Sequence, residues 1–277
     1  SGELTVSEAN VIDGLTTGVV TASIATTETV DALQTLTGSN AYTIVISSAD
    51  ATGSTAAEFN TINGLTTEAI DASAVTGLAK DTIENIRTLL TAGNDTAQFT
   101  DNSFSQLSAV SVFNVTNYLA NNTDLANFFS PTNGFITTEQ QEAGAAKHYD
   151  DFGFNEGRND GSLDVTDLNE AITEANIATG TTETVFTITS GSTINGGSDV
   201  EFSTLLANEE LGNISITNQN LTVDSGSISI NELNLLSATT TGTVTASITT
   251  TGTITGTYDE ITALYESAGV GNLGNEA

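Results

Sequence analysis

Apolar residues alternate with hydroxyl-bearing residues in several short segments of the chain. In AYTIVISS (41–48), Ile44 and Ile46 alternate with Thr43, Val45 and Ser47, and NISIT (213–217) and VFTITS (185–190) behave alike. A period of two places successive side chains on opposite faces of a strand. The pattern therefore predicts strands, each with an apolar face and a Thr/Ser face. We place them near 19–24, 42–48, 69–75, 185–190, 213–217 and 244–249.

Short helices are predicted between these strands. Several Ser or Thr residues are followed three positions later by Glu, which is the pattern of a reciprocal capping box at a helix start. Behind one such start, apolar residues recur three and four positions apart at Ile83, Ile86, Leu89 and Leu90. The predicted boxes are Thr5–Glu8, Thr55–Glu58, Ser198–Glu201, Ser229–Glu232 and Thr257–Glu260, with looser versions at Asp81–Glu84 and Asp164–Asp167.

The chain also repeats itself. VIDGLTTGVVTASI begins at Val11, TINGLTTEAIDASA at Thr61 and LLSATTTGTVTASI at Leu235. A Glu-x-Asn pair precedes each copy, at Glu8/Asn10, Glu58/Asn60 and Glu232/Asn234. Three such copies indicate a repeat architecture built from one helix and one strand per unit.

The predicted fold class is α/β, as a repeat solenoid of short parallel strands and short helices with an inserted small, mainly helical module. Outside the large gap, strands recur roughly 23 to 31 residues apart, which favours parallel neighbours joined by helical crossovers. A doubly wound sheet would bury both faces and give continuous apolar strands. The hydroxyl-rich face favours a solenoid with one sheet face open. We predict α/β repeat regions at 1–92 and 164–277, with the module at 93–163.

Residues 93–163 break the repeat pattern. They contain most of the phenylalanines, the only proline, Pro131, and the only histidine, His148. The segment shares a series of short motifs with a known type of repeat. These are Tyr118-Leu119, Asn122-Thr123-Asp124-Leu125, His148-Tyr149, Gly153 and Glu156-Gly157-Arg158, with a longer stretch from Ser130 to Glu139 between them.

This series resembles a short helical repeat of large secreted and cell-surface proteins of cyanobacteria and proteobacteria. The Thr-rich LTT repeats are similar to those of giant surface proteins in the same bacteria. Both resemblances imply a secreted or cell-surface location and a structural role.

The composition limits the kinds of partner that the chain can bind. The chain has 4 Lys and Arg residues against 35 Asp and Glu residues, with a formal net charge of −31. Such a chain repels the polyanion nucleic acid, whose binding depends on Lys and Arg. Hard cations such as calcium are the natural counter-species, although the charge also serves solubility alone. Cysteine is absent, so stability must come from packing and ions.

Two further features bear on processing and location. The absence of methionine predicts a processed product or a fragment of a longer chain. No apolar run reaches the length of about 18 residues that spans a bilayer, so we expect no direct membrane insertion.

Candidate catalytic and metal residues are few. His148 is the only imidazole, and its aromatic neighbours favour a packed structural role over general-base catalysis. In NEGRNDGSLDVTDL, Glu156, Asp160, Asp164 and Asp167 fall at calcium-ligand positions of an EF-hand-like loop, but Arg158 occupies another ligand position. Asp164 and Asp167 are equally explained as the cap and first-turn acid of the next helix.

The leading functional hypothesis is a non-enzymatic structural subunit of a bacterial extracellular filament, sheath or surface layer. We expect it to self-associate head to tail, because the terminal units of a solenoid lack a neighbour. The alternative is an adhesin module that binds glycan or a host surface through the Thr/Ser face. A secreted hydrolase is a third possibility, for which the sequence offers no catalytic motif.

Overall fold

The computed structural model is a mixed α/β protein whose strand pairs are parallel. It describes residues 2–50, 52–153, 156, 158, 162–181, 183–189, 192–224, 227–246, 253–260 and 262. The chain forms two compact units. The first comprises Ser1–Ser111 and Ala171–Val185, and the second comprises Val112–Glu170 and Phe186–Ala277.

The first unit alternates short helices with short strands. Successive segments are joined by the parallel pair β1–β2 and by isolated parallel bridges such as Leu4–Ile24 and Asn40–Thr66. β3 and β4 are neighbours in a further sheet. The helices are α1 (Val6–Asp13), α2 (Val30–Leu33), α3 (Ala56–Leu65) and α4 (Ile83–Gly93), and the strands are β1 (Thr21–Ser23), β2 (Ala41–Thr43), β3 (Gly77–Asp81) and β4 (Ala109–Val112).

The second unit begins with a helical segment and continues with strands and helices in alternation. The helices are α5 (Val115–Asn121), α6 (Thr123–Phe128), α7 (Thr138–His148), the first residues of α8 (Val165–Thr179), α9 (Asp199–Glu210) and α10 (Ile230–Thr239), with a π-helical turn at Tyr149–Gly153. The rest of α8, from Ala171 on, belongs to the first unit. The strands are β5 (Ser162–Asp164), β6 (Val185–Ile188), β7 (Thr193–Gly197), β8 (Asn220–Val223), β9 (Ser227–Ser229), β10 (Val244–Ala246) and β11 (Thr253–Thr255). Four of them form a parallel sheet in the order β10-β8-β7-β5, and β11 pairs with β9.

The predicted alternation of buried and exposed positions is confirmed. Ile44 and Ile46 are 1% and 2% exposed, while Val45 between them is 37% exposed. Strands β1, β2, β6 and β10 begin within or next to the predicted segments. In the predicted segments 69–75 and 213–217, however, the pairing is confined to isolated bridges, at Ile70 and Asp71 and at Ile214. The predicted segments miss strands β3, β4, β5, β7, β8, β9 and β11.

Most predicted helix caps are also confirmed. Reciprocal boxes join Thr5 with Glu8, Thr55 with Glu58, Ser198 with Glu201 and Thr257 with Glu260. At the fifth site, Ser229 accepts from the Glu232 N–H, but the Glu232 carboxylate bonds to Ser203 instead.

The looser cap at Asp81–Glu84 is wrong. α4 begins after Thr82, whose hydroxyl oxygen accepts from the N–H of Asn85. Asp81 has a different task, because one of its carboxylate oxygens accepts from the N–H of Ala57, near the start of α3, at 2.7 Å.

Candidate functional site

The four residues predicted to bind calcium have different structural roles. Glu156 is exposed and pairs with the Arg158 guanidinium at 2.6 Å. Asp160 lies outside the described residues. Asp164, at the end of β5, accepts from the N–H groups of Thr166 and Asp167 at 2.8 and 3.3 Å. The last two acids therefore meet as the cap and first turn of α8, which was the alternative that the sequence left open.

Within the residues that the structure describes, no group of three or more His, Cys, Asp or Glu side chains is arranged to hold a metal ion. The calcium hypothesis stays a prediction, since one of its four residues is outside that part of the chain.

In the first two copies, the Glu-x-Asn motif joins a helix to a later segment of the chain. Glu8 closes the capping box of α1, and Asn10, two residues on, reaches a later part of the chain. Its amide nitrogen donates to the carbonyl of Thr35 at 2.8 Å, and its amide oxygen accepts from the N–H of Thr37 at 2.9 Å. One motif thus stabilises both the helix start and the contact with the following helix.

The second copy repeats this arrangement. Asn60 donates to the carbonyl of Asn85 at 3.0 Å, 25 residues further on. Outside the recognised copies, Asn169 of α8 donates to the carbonyl of Glu201 in the same way. The side chain of Asn234 in the third copy is exposed. Asparagine amides therefore act as recurrent links between successive helices.

Threonines of the LTT segment make the corresponding links between strands. The Thr66 hydroxyl donates to the carbonyl of Tyr42 at 2.7 Å, and the Thr240 hydroxyl donates to the carbonyl of Gln219 at 2.6 Å. The two threonines are 8% and 3% exposed. A buried carbonyl without a partner is costly, so each hydroxyl completes the strand pairing where the backbone alone does not.

Two other buried polar side chains also link separate segments of the chain. The amide oxygen of Asn40 accepts from the N–H of Val20 at 2.9 Å, and its nitrogen donates to Asp13 at 2.9 Å. The carboxylate of Asp81 accepts from Ala57, from the Thr82 N–H and from Asn85. Burial raises the pKa of Asp81 above its ordinary value, against the lowering effect of these hydrogen bonds.

The first copy of the repeat differs from the other two in what it leaves exposed. Ile12 is 40% exposed, whereas the matching residues Ile62 and Leu236 are both 0% exposed. Thr16 is exposed, whereas its counterparts Thr66 and Thr240 are buried. Leu15 and Val19 nearby are 82% and 71% exposed. We refer to Ile12, Leu15, Thr16 and Val19 as the N-terminal edge.

The helical segment of the second unit has a separate aromatic core. Tyr118 is 0% exposed and packs against Phe113 and Tyr149, with ring centroids 5.4 and 5.1 Å away. Its hydroxyl lies 3.0 Å from Nδ1 of His148. Burial raises the pKa of Tyr118 to about 12. His148 is thus a hydrogen-bonding partner of a packed tyrosine.

The remaining residues of the module's motif gather around the same tyrosine. Arg158 bonds to Asp124 at 2.9 Å and to the amide oxygen of Asn122 at 3.3 Å. The backbone of Gly153 lies so close to the Tyr118 hydroxyl that a Cβ there would collide with it. The spaced motif in the sequence therefore describes one contiguous cluster.

Some aromatic rings of this cluster reach the surface. Phe128 and Phe152 are 57% and 56% exposed. Phe128 packs on Phe129 at 5.1 Å between centroids, and Phe152 packs on His148 at 5.7 Å. The module therefore displays an aromatic surface of the kind that stacks on flat apolar partners.

No protein-family model, no curated protein and no solved structure matches this chain. Within the described residues, no helix is long and apolar enough to cross a membrane.

Sequence reasoning missed the linking role of the asparagines and threonines and the exposure of the first copy. The repeat alignment contains the signal for the first of these, since Asn10 aligns with Asn60 and Thr66 with Thr240. The partners of these side chains are 21 to 25 residues away. Only the folded register identifies them.

Proposed function

We propose that the chain is a non-enzymatic structural subunit of a bacterial extracellular assembly, such as a filament, sheath or surface layer, and that it acts by self-association head to tail. A secreted or cell-surface location is part of this proposal. The resemblance of the LTT repeats and of the Tyr118-to-Arg158 motif to repeats of bacterial surface proteins supports it.

A solenoid is the architecture that we infer for the repeat regions. The links described above join segments of similar type at sequence separations of 20 to 32 residues. In a solenoid, each repeat contacts its neighbours and the same contact recurs along the axis. The recurrence of Asn and Thr links at corresponding positions of different copies supports this architecture.

The observation that carries the proposal is the presence of open strand edges. Within the described residues, β10 pairs with β8 alone and β11 pairs with β9 alone. In the N-terminal edge, Ile12 and Thr16 are exposed, whereas their counterparts in the other two copies are buried. An unpaired edge of parallel strands is a template for another chain. Two different open edges favour a head-to-tail contact, which repeats without closing into a dimer.

The absence of catalysis is also a proposal. His148, the one imidazole of the chain, is hydrogen-bonded to Tyr118 and packed between Phe129 and Phe152. That environment uses the ring for packing, which disfavours the hydrolase hypothesis.

An adhesin remains the second candidate, and one observation favours it. Phe128 and Phe152 expose aromatic rings on the module, and such rings stack on the apolar faces of sugars. If glycan binding is the function, replacing both phenylalanines by Ser should abolish retention on a glycan surface and leave self-association intact. If this double variant binds the glycan surface as tightly as the parent chain does, this face is excluded as the glycan-binding surface.

Bound calcium is a further part of the proposal. At a net charge of −31, both salt and divalent cations should relieve self-repulsion. A specific site should make millimolar calcium raise the melting temperature well beyond sodium chloride of the same ionic strength. Asp160→Asn should reduce that excess, whereas equal melting temperatures in the two salts would leave screening as the only effect.

Electron microscopy and sedimentation of the purified chain test the main proposal. We expect filaments or sheets, and a sedimentation coefficient that rises with protein concentration. A single monomeric species at all micromolar concentrations, with and without calcium, would refute self-assembly.

A further inference from the structure

We propose that the N-terminal edge docks against a strand of a second copy of this chain, and that the Thr16 hydroxyl donates a hydrogen bond to a backbone carbonyl of that strand. This docking rests on the proposed self-association and specifies one side of the joint. It assigns a partner and a contact to Ile12, Leu15, Thr16 and Val19.

The turn that contains Thr16 has the same geometry as its internal copies. In each copy, the threonine hydroxyl oxygen accepts from the N–H two residues further on, which fixes the side chain at the entrance to the strand. The three hydrogen bonds are Gly18 to Thr16 at 3.0 Å, Glu68 to Thr66 at 3.1 Å, and Gly242 to Thr240 at 2.9 Å.

The copies differ in what the hydroxyl proton bonds to. Thr66 and Thr240 donate to carbonyls of an earlier strand segment. Within the described residues, the Thr16 hydroxyl makes no hydrogen bond other than the one that it accepts from Gly18, while the Thr16 N–H donates to the Asp13 carbonyl at 3.3 Å. A preformed donor is therefore held at the surface in the orientation that, in the other copies, completes a strand pair.

The apolar positions show the same difference. The residue that aligns with Ile12 is fully buried in both other copies, at Ile62 and Leu236. What covers these positions is the packing of neighbouring repeat segments of this same chain. The surface that matches the N-terminal edge is accordingly the edge of a parallel strand with apolar neighbours.

A second copy supplies such an edge. Strands β10 and β11 each have one paired side in the described residues, to β8 and β9, and β10 lies in the third copy of the repeat. The four residues of the N-terminal edge are uncharged, so the contact itself buries no carboxylate among them. Repulsion between the acidic chains acts at longer range and is screened within about 8 Å at physiological salt.

The test compares edge variants with a matched control in sedimentation-equilibrium experiments at about 0.15 M salt. Thr16→Val keeps the shape and removes the donor. It should weaken self-association roughly threefold to tenfold, as expected for one interfacial hydrogen bond. A double variant, Leu15→Glu with Val19→Glu, should leave a monomer.

The control variant adds the same charge elsewhere. Val200→Glu with Leu211→Glu places two acids at positions that are 68% and 63% exposed and that belong to the second compact unit. It should change the association constant less than about twofold. Circular dichroism should show every variant folded, since all of these side chains are exposed.

Two results would overturn the docking. If the parent chain associates and both edge variants associate equally well, the joint lies elsewhere and self-association stands. If the parent chain is monomeric at every concentration, the proposed function and the docking both fail, and the N-terminal edge belongs to a different partner.

Discussion

The repeat segments and the aromatic module achieve their stability in different ways. In the repeats, Asn side chains bond to backbone groups of a later segment and Thr side chains bond to those of an earlier one. In the module, one buried ring, Tyr118, contacts Phe113, Tyr149 and His148 together. Polar stabilisation is distributed in the first region and aromatic packing is concentrated in the second.

This contrast has a consequence for substitutions. A repeat joint is made of modest hydrogen bonds, each of which contributes about 0.5–1.5 kcal/mol net. Loss of a large buried ring removes many dispersion contacts at once and leaves a cavity. A single substitution in the module should therefore lower the free energy of unfolding more than a single substitution in the repeats.

Tyr118→Ala should have the largest effect. The side chain is 0% exposed, and truncation of a buried ring costs about 3–5 kcal/mol. Chemical denaturation should show this loss, and near-ultraviolet circular dichroism should lose the aromatic signal of the module. A loss of less than about 1 kcal/mol would mean that the module does not depend on this ring.

Tyr118→Phe is the matched control. It keeps the ring and removes the hydroxyl that lies 3.0 Å from His148. The free energy of unfolding should fall by about 1 kcal/mol, which separates the contribution of packing from that of the hydrogen bond.

Thr66→Val should have the next largest effect, this time in the repeats. The hydroxyl serves both the N–H and the carbonyl of Tyr42, at 3.1 and 2.7 Å. Val has a similar shape but leaves both backbone groups without that partner, at a cost of about 1–3 kcal/mol.

Thr67→Val controls for the change of residue type. Thr67 is exposed, and the substitution removes only a long hydroxyl bond of 3.4 Å to the Asn40 carbonyl, to which the Thr67 N–H still donates at 2.8 Å. The free energy of unfolding should change by no more than about 0.5 kcal/mol. Equal losses from the two substitutions would show that the Thr66 link is unimportant.

Thr55→Ala tests a helix start rather than a joint. The Thr55 N–H donates to Glu58 at 2.7 Å, and the Thr55 hydroxyl oxygen accepts from the Glu58 N–H at 3.3 Å. Losing this cap should cost about 1 kcal/mol in chemical denaturation. Thr61→Ala, inside the same helix α3, should be close to neutral because Ala is the better helix former.

The sequence predicted the local structure of this chain better than the contacts between its repeat segments. Alternation identified the buried faces around Ile44 and Ile46, and Ser/Thr–Glu spacing identified helix starts such as Thr5 and Thr55. Both signals depend on residues within a few positions of each other. The cap at Asp81 was wrongly predicted because its carboxylate bonds to Ala57, 24 residues away.

The same limit applies to the candidate sites. The spacing of acids at Glu156 and Asp164 suggested calcium, but Arg158 and the start of α8 engage those carboxylates. The role proposed for Thr16 rests on the burial of Thr66 and Thr240, which the sequence of a single copy does not reveal.

The smallest expected effect concerns two exposed carboxylates, one in each region. Hydrogen bonds from Thr5, chiefly from its backbone N–H, lower the pKa of Glu8 in the repeats. A hydrogen bond from Arg158 lowers the pKa of Asp124 in the module. A lowered pKa in the folded state means that each carboxylate stabilises the fold above its ordinary value, 4.5 or 3.8. That stability is lost as the pH falls through the folded pKa.

Glu8→Gln and Asp124→Asn should each remove part of this acid sensitivity. The difference in unfolding free energy between parent and variant should be present at pH 7 and shrink below about pH 4. Salt separates the two regions: Asp124 is paired with a full charge, so its contribution should decrease as sodium chloride is added. Glu8 bonds to a neutral N–H and hydroxyl, so its contribution should persist. Equal salt dependence of the two variants would contradict the proposed difference between a neutral joint and an ionic one.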